Sequence, residues 1–216
     1  GGGLMMEKWM GGDMHPSYRI LMGPGPSNVH YRVYQAMSNP VIGYLDPQIL
    51  ACMDEISEML RGIFQTKNQV TLAISATGSS GMEAAYVNFV EPGDVVVIGV
   101  NGFFADRMAQ VASRCGAKVI RVEEEWGKMI EPEKMIKALE EHPEAKICGV
   151  VHGETSTGVR QPLEEIGAYC QKGHILLVVD AVTTLGGYDV KVDGWGIDVC
   201  YSSSQKCLSA PPGLSP

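Results

Sequence analysis

Five short apolar runs, separated by stretches of helical character, constrain this 216-residue chain more than any other feature. The runs are rich in Val and Ile and alternate little with polar residues, which is typical of strands buried on both faces of a sheet. They cover residues 70–75, 95–100, 118–122, 147–151 and 175–179, and helical patterns lie between them at about 80–89, 104–115, 132–141 and 163–172. Several of these helices are closed by a glycine, such as Gly116 or Gly173. This order predicts a mostly parallel α/β sheet in one large domain.

Another helix is predicted before the first run, over residues 46–66. Asp46 followed by Pro47 is a favourable helix start, because aspartate can cap free N–H groups and proline suits the first turn. Apolar side chains then recur at spacings of three and four, and this spacing predicts one buried face. The residues are Ile49, Leu50, Met53, Ile56, Leu60, Ile63 and Phe64.

The overall charge limits the possible partners. The formal net charge is −8, whereas nucleic acids and anionic membranes require clustered Lys and Arg. The longest apolar runs are strand-sized, well short of the roughly 20 residues of a membrane-spanning helix. No signal peptide is visible at the N-terminus, and the six cysteines lack the spacing of a zinc site. We therefore expect a cytoplasmic protein without metal, nucleic-acid or membrane partners, in which most cysteines, such as Cys148, are small buried residues.

A hydroxyl-rich and glycine-rich segment follows the first apolar run. Residues 77–81 read Thr-Gly-Ser-Ser-Gly and open a helix, so free N–H groups, the helix dipole and hydroxyls converge where an anion could bind. The spacing fits neither a P-loop nor a dinucleotide fingerprint. The segment therefore predicts a phosphate site, with a plain capped helix start as the alternative.

Two charged residues follow later runs. Asp180 ends the run at 175–179, where a carboxylate at the tip of an apolar strand could pair with a protonated ring nitrogen, or alternatively cap a helix or form a structural ion pair. Lys206 lies between the hydroxyl-rich residues 202–204 and the rigid turn at 210–213. A lysine so placed could form a Schiff base with a carbonyl compound, although a surface lysine is the alternative.

Together, the phosphate loop, the strand-end aspartate and the later lysine resemble the class V aminotransferases, which depend on pyridoxal 5′-phosphate (PLP). The closest resemblance is to the alanine–glyoxylate, serine–pyruvate and ureidoglycine–glyoxylate group. It is carried by LMGPGPS at 21–27, HGETSTG at 152–158, VDAV at 179–182 and SQK at 204–206, and it runs from about Arg19 to the end of the chain.

The resemblance implies a role for eight residues. Lys206 would hold the cofactor as a Schiff base and move a proton, and Asp180 would pair with the pyridine nitrogen. The remaining contacts would come from Thr77, Gly78, Ser79 and Gln205 at the phosphate, Thr155 at the ring oxygen, and Phe104 stacked on the ring, where the family often has Trp. Phe104 could also be simply the first core residue of its helix.

The resemblance also implies the architecture of the whole protein. The expected fold is the large domain of fold type I PLP-dependent transferases, with a seven-stranded, mostly parallel sheet and helices on both faces. Residues 1–18 would be a flexible extension and 19–216 the cofactor-binding domain, with the C-terminal small domain absent from this chain. A homodimer with shared active sites would be the functional unit.

The implied reaction moves an amino group from alanine or serine to glyoxylate or a similar 2-oxo acid. A ureidoglycine–glyoxylate aminotransferase is an alternative, although Tyr44 stands where a ureido group would favour a side-chain amide. A cysteine desulfurase is disfavoured, because those enzymes usually have histidines where this chain has Phe104 and Gln205. The chain could also be a domain that binds the cofactor without catalysis, or a nucleotide-binding oxidoreductase, which is suggested by fold alone.

Overall fold

The computed structural model describes residues 14–216. Residues 1–13 of the predicted flexible extension lie outside this range, and residues 14–18 are exposed and have no regular structure. The described helices are α1 (Tyr31–Met37), α2 (Pro47–Phe64), α3 (Gly78–Phe89), α4 (Phe103–Arg114), α5 (Pro132–Glu141) and α6 (Glu164–Gly173). The described strands are β1 (Val95–Val100), β2 (Lys118–Glu123), β3 (Ala145–Val151), β4 (Gly153–Glu154), β5 (Val159–Arg160), β6 (Leu176–Asp180) and β7 (Val199–Tyr201).

The main sheet is parallel, as predicted. Its order is β2-β1-β3-β6-β7, and every neighbouring pair runs in the same direction. Strands β4 and β5 form a separate antiparallel hairpin that the sequence patterns did not predict. The predicted α/β class is therefore confirmed.

The sheet has five strands among the described residues, whereas the resemblance implied seven. The predicted strand at 70–75 is wrong, because only Ile74 pairs there, in an isolated antiparallel bridge to Ser215. The residues on either side of Ser215 bond in turn to the segment after β7, through Ser202 N to Pro216 O at 2.8 Å and Ser204 N to Leu214 O at 3.0 Å. The segments around Ile74 and Ser215 thus continue the edge of the sheet, but they have too few ladder hydrogen bonds to form strands.

Helices cover both faces of the sheet, as expected. Neighbouring residues of a strand point to opposite faces, and Val97 and Ile98 of β1 accordingly belong to two different apolar clusters. The cluster around Ile98 includes residues of α3 and α4, and the cluster around Val97 includes residues of α5 and α6. The two clusters fix the sheet between two helical layers.

Helix α2 begins as predicted but does not bury the predicted face. The Asp46 side chain accepts a hydrogen bond from Gln48 N at 2.8 Å and so caps the helix. Of its predicted face, only Leu60 and Phe64 are buried. The prediction of a buried face is wrong for the described chain, because no described element covers the other side chains.

Two smaller predictions also need correction. Gly173 is part of α6, and His174, with a φ of 55°, forms the left-handed end of that helix instead. Gly116, with a φ of 95°, follows α4 as predicted. Cys148 and Cys170 are the buried cysteines, so the expectation that most of the six are buried is wrong.

Candidate active site

All eight sequence-predicted site residues line one cavity of about 160 Å³. The cavity lies at the carboxyl edge of the sheet, where ligands of open α/β folds bind. Strand β6 ends there with Asp180, and β7 is followed there by Lys206. The predicted residues around it are Thr77, Gly78, Ser79, Phe104, Thr155, Asp180, Gln205 and Lys206, and Met82, Val182 and Ser203 complete the wall.

The N-terminus of α3 forms the corner of the cavity where the sequence predicts a phosphate site. Thr77 is the N-cap residue and makes no side-chain cap bond, and the first N–H groups of a helix have no acceptor within that helix. Gly78 packs against Ser203, since a Cβ atom at Gly78 would lie 3.0 Å from Ser203 Cβ. Arg107 Nη1 donates to Ser79 Oγ at 3.2 Å and brings a positive charge to this corner. The corner therefore suits an anion.

Gln205 adjoins this corner through Ser203. Its Oε1 accepts a hydrogen bond from Ser203 Oγ. The Nε2 group is consequently the part of the amide that can donate to an anion.

Asp180 is a buried acid in the wall of the same cavity. Its side chain is 3 % exposed, and Oδ1 accepts a hydrogen bond from Val182 N at 2.9 Å. Burial raises the pKa of Asp180 to about 6, and the negative charge of Glu154 acts in the same direction, against the backbone hydrogen bond and the charge of Lys206. A carboxylate in such a position is stabilised by a cationic partner.

Lys206 is held at the cavity by the N-terminal loop. Its Nζ donates to Pro24 O at 2.9 Å. Ser27 fastens the same loop to the chain around the lysine, through Ser27 N to Gln205 O and Ser27 Oγ to Lys206 O, both at 2.9 Å. Gly25 permits this approach, since a Cβ atom there would lie 2.7 Å from Lys206 Nζ.

A wider cavity of about 650 Å³ adjoins the first one and shares Thr155 and Lys206 with it. Pro24 and Gly25 form part of its wall. Arg160 lies on another part, with its guanidinium carbon 5.1 Å from the centre of the Tyr188 ring. A small molecule in this cavity would therefore reach the Lys206 amine.

Sequence reasoning assigned no role to several residues of this region. Pro24, Gly25 and Glu154 lie inside the motifs that carry the family resemblance, but their contacts join distant parts of the chain. A lone acid in a hydroxyl-rich loop was the signal for Glu154. The signal at residues 23–26 was the repeated Gly-Pro pattern.

Metal binding and a further cavity bear on the kind of site that the described residues form. Within residues 14–216, no group of three or more His, Cys, Asp or Glu side chains could hold a metal ion. Another cavity of about 520 Å³, bordered by residues of α3 and β7, contains none of the predicted site residues. Separately, no helix in the described range is long and apolar enough to cross a membrane.

Comparison with known proteins identifies the family. Residues 28–215 match the family model of class V aminotransferases. The chain belongs to this family. The parallel sheet and the cavity at its carboxyl edge are compatible with this family.

Similar proteins in this family include two curated enzymes. The chain is 45 % identical to alanine–glyoxylate aminotransferase of Drosophila melanogaster, over 92 % of this chain and 50 % of that protein. It is 44 % identical to (S)-ureidoglycine–glyoxylate transaminase of Bacillus subtilis, over 92 % of this chain and 47 % of that protein. The chain thus spans about half the length of the curated relatives it matches.

A solved structure shows the same fold. The crystal structure of alanine–glyoxylate aminotransferase from Nostoc sp. superposes with a TM-score of 0.93 at 48 % identity, over 96 % of this chain and 55 % of that chain. The class V aminotransferase chain therefore has the fold of PLP-dependent fold type I aminotransferases.

Proposed function

We propose that residues 19–216 form the cofactor-binding domain of a PLP-dependent aminotransferase that transfers an amino group from alanine or serine to glyoxylate or a similar 2-oxo acid. The observation that carries the proposal is that Lys206, Asp180 and the N-terminus of α3 line the same cavity. The names of the similar enzymes supply the substrate class. We use "full-length protein" for a form that spans the whole length of those relatives.

The residues of the cavity fit PLP in three respects. The free N–H groups of α3, together with Arg107, suit its phosphate. Asp180 is a buried acid that a protonated ring nitrogen would stabilise. The Lys206 amine lies on the same cavity and could bond to an aldehyde carbon. Phe104 and Thr155 would contact the ring face and the ring oxygen.

When bound, PLP would supply an aldehyde that exchanges amines and a ring that withdraws charge from the substrate α-carbon. Lys206 would hold the cofactor covalently through Nζ. After a substrate amine displaces it, the freed Lys206 amine would take the proton from the substrate α-carbon and deliver it to the cofactor carbon. The Pro24 carbonyl, 2.9 Å from Nζ, would keep the freed amine beside the cavity.

Asp180 would hold the ring proton in place. Its carboxylate is buried, so an ion pair with the ring nitrogen would act through a medium of low dielectric constant. This pairing would keep the ring positively charged while the α-proton is removed. Substrates would enter through the wider cavity that shares Thr155 and Lys206 with the cofactor cavity.

We also propose that the protein is a homodimer. Helix α2 exposes Leu50, Met53, Ile56 and Met59 at helical spacing, and an apolar face of this kind is usually covered by a partner. A second copy would cover it and share the active site.

The free thiols of Cys148 and Cys170 support a reducing compartment such as the cytoplasm.

Covalent trapping tests the cofactor assignment. The full-length protein would be loaded with PLP, reduced with borohydride and mapped by peptide mass spectrometry. We expect the pyridoxyl group on Lys206 and no label on the Lys206→Ala variant. A label on a different lysine would contradict the assignment.

A ureidoglycine–glyoxylate aminotransferase is the second candidate, because the Bacillus subtilis relative carries that name at almost the same identity. Tyr44 is exposed and lines neither cavity of the site in the described chain. The ratio of kcat/KM for alanine and for (S)-ureidoglycine, with glyoxylate as acceptor, would separate the two candidates.

A further inference from the structure

The carboxylate of Glu154 caps a helix from a distant part of the chain. Helix α4 begins at Phe103, and its own N-cap residue, Gly102, has no side chain to offer. Glu154 Oε1 accepts a hydrogen bond from Phe104 N at 3.2 Å, and Oε2 accepts one from Ala105 N at 3.0 Å. The helix dipole favours a negative charge at this position.

Gly102 and Glu154 fit each other sterically. A Cβ atom at residue 102 would lie 2.8 Å from Glu154 Oε2 and still closer to the rest of that side chain. Glycine therefore leaves the space that the carboxylate fills. Glu154 is 1 % exposed, so its position is set by the surrounding structure.

The same carboxylate organises its own loop. Ser156 N and Ser156 Oγ donate to Glu154 Oε1 at 3.1 and 2.8 Å, and Ser156 Oγ accepts from Phe103 N at 3.0 Å. Residues 154 and 156 thereby bind three successive N–H groups of α4. Thr155 lies between these two anchors.

The residues held in this way both line the cofactor cavity. Phe104 lines the cavity from α4, and Thr155 lines it from the turn between β4 and β5. Phe104 and Thr155 are about fifty residues apart in the sequence. Glu154 connects them, because its side chain bonds to Phe104 N and its backbone is joined directly to Thr155. The buried carboxylate is the link between the two walls.

We propose that Glu154 is a positioning residue that sets the spacing between the Phe104 ring and the Thr155 hydroxyl. The inference rests on the proposed function, since these are the residues assigned to the ring face and the ring oxygen of PLP. Without the carboxylate, the first turn of α4 loses its acceptors and the two walls are no longer tied together. The cofactor would then be held less firmly and with its ring less well oriented.

The test compares four forms of the full-length protein: wild type, Glu154→Ala, Glu154→Gln and Asp94→Ala. Asp94 accepts hydrogen bonds from Glu91 N at 2.8 Å and Lys146 Nζ at 2.9 Å. It precedes β1 at the amino edge of the sheet and lines neither cavity of the site, so its variant loses structural hydrogen bonds at the edge opposite the cofactor. The readouts are the dissociation constant of PLP, the visible circular dichroism band of bound PLP, which reports ring orientation, and the midpoint of unfolding.

We expect Glu154→Ala to weaken PLP binding by about tenfold and to reduce the circular dichroism band at saturating PLP. Glu154→Gln keeps one acceptor oxygen and should lie between the alanine variant and wild type. Asp94→Ala should lower the unfolding midpoint while leaving the dissociation constant and the band unchanged. This pattern separates positioning from a purely structural cap.

Gly102→Ala provides a second approach if Glu154→Ala does not fold. Its methyl group would displace the carboxylate without removing it, and the same loss of the band is expected. If wild type binds PLP, and Glu154→Ala binds it equally well with an unchanged band, the positioning role is wrong and the proposed function stands. If wild type itself does not bind PLP, the proposed function fails and the inference fails with it.

Discussion

The backbone N–H of His152 donates a hydrogen bond to the carbonyl oxygen of Asp180 at 2.9 Å, so two buried titratable residues meet at the carboxyl ends of β3 and β6. Burial favours the neutral form of each. It raises the pKa of Asp180 to about 6, whereas burial and the charge of Arg160 lower the pKa of His152 to about 4. Between pH 4 and 6 the two residues therefore change the stability of the protein in opposite directions.

Asp180→Asn should stabilise the cofactor-free protein at neutral pH. Because the pKa of the acid is raised in the folded state, its ionisation costs stability as the pH rises from about 4 to above 6. The gain should reach about 3 kcal/mol at pH 7.5 and disappear below pH 4. Urea denaturation at both pH values measures it, and a variant less stable than wild type at pH 7.5 would contradict the burial argument.

The same Asp180→Asn variant should bind PLP but remove the substrate α-proton far more slowly. A neutral amide no longer stabilises the protonated ring when charge develops on the α-carbon. Single-turnover kinetics with alanine measure this step. An unchanged rate would remove Asp180 from its proposed role.

His152→Gln should reduce the loss of stability in acid. The pKa of His152 is lowered in the folded state, because its buried imidazole resists becoming charged. The wild-type protein should therefore lose about 3 kcal/mol of stability as the pH falls from 6.5 to 4. Glutamine can keep a hydrogen bond to Thr184 Oγ1, which lies 2.9 Å from His152 Nδ1. The comparison is best made in the Asp180→Asn background, which removes the opposing effect, and equal pH slopes would disprove it.

Gly25→Ala should impair the placement of Lys206. The residue has a φ of 117°, and a Cβ atom would lie 2.7 Å from Lys206 Nζ. We expect a loss of about 1 to 2 kcal/mol in stability and slower covalent attachment of PLP. Gly23→Ala is the matched control in the same loop, because a Cβ atom there meets nothing within 4 Å. Equal attachment rates for the two variants would show that Gly25 has no such role.

The 216-residue chain by itself should show no appreciable transaminase activity. Arg160 is the arginine that lines the wider cavity in the described chain, and its guanidinium carbon lies 5.1 Å from the centre of the Tyr188 ring. We expect the bidentate clamp on the substrate carboxylate to need a guanidinium that the full-length protein supplies. Positioning can contribute roughly 7 to 11 kcal/mol to catalysis. Alanine-to-glyoxylate transfer would be compared with that of the full-length protein at equal PLP loading, and similar turnover would show that the active site is misplaced.

Much of the fold could be predicted because its signals are local. The run at 95–100 and the helix at Pro132–Glu141 have the bounds that the sequence predicts, since apolar continuity and a proline start are visible within a few residues. The strand at 70–75 could not be judged in this way, because its pairing depends on Ser215, far along the chain. The face of α2 shows a related limit, since apolar spacing indicates burial without naming what covers it.

The candidate site shows the same difference between local and long-range signals. Lys206, Asp180 and the segment at 77–79 belong to short motifs, and these motifs predicted residues that the structure brings around one cavity. The partners that hold them were not predictable, because Glu154 bonds to Ala105 at a separation of 49 residues and Lys206 to Pro24 at 182. Contacts of this kind leave no periodic signal in the sequence.

The bond between Lys206 Nζ and Pro24 O has a consequence for how the protein matures. It joins residues that are 182 positions apart, and a contact of such long range forms readily only after other contacts have brought its two ends together. The sheet can therefore form before the loop at 23–27 docks. During refolding, covalent uptake of PLP should lag behind the recovery of secondary structure, so the bound chromophore would report the completion of folding.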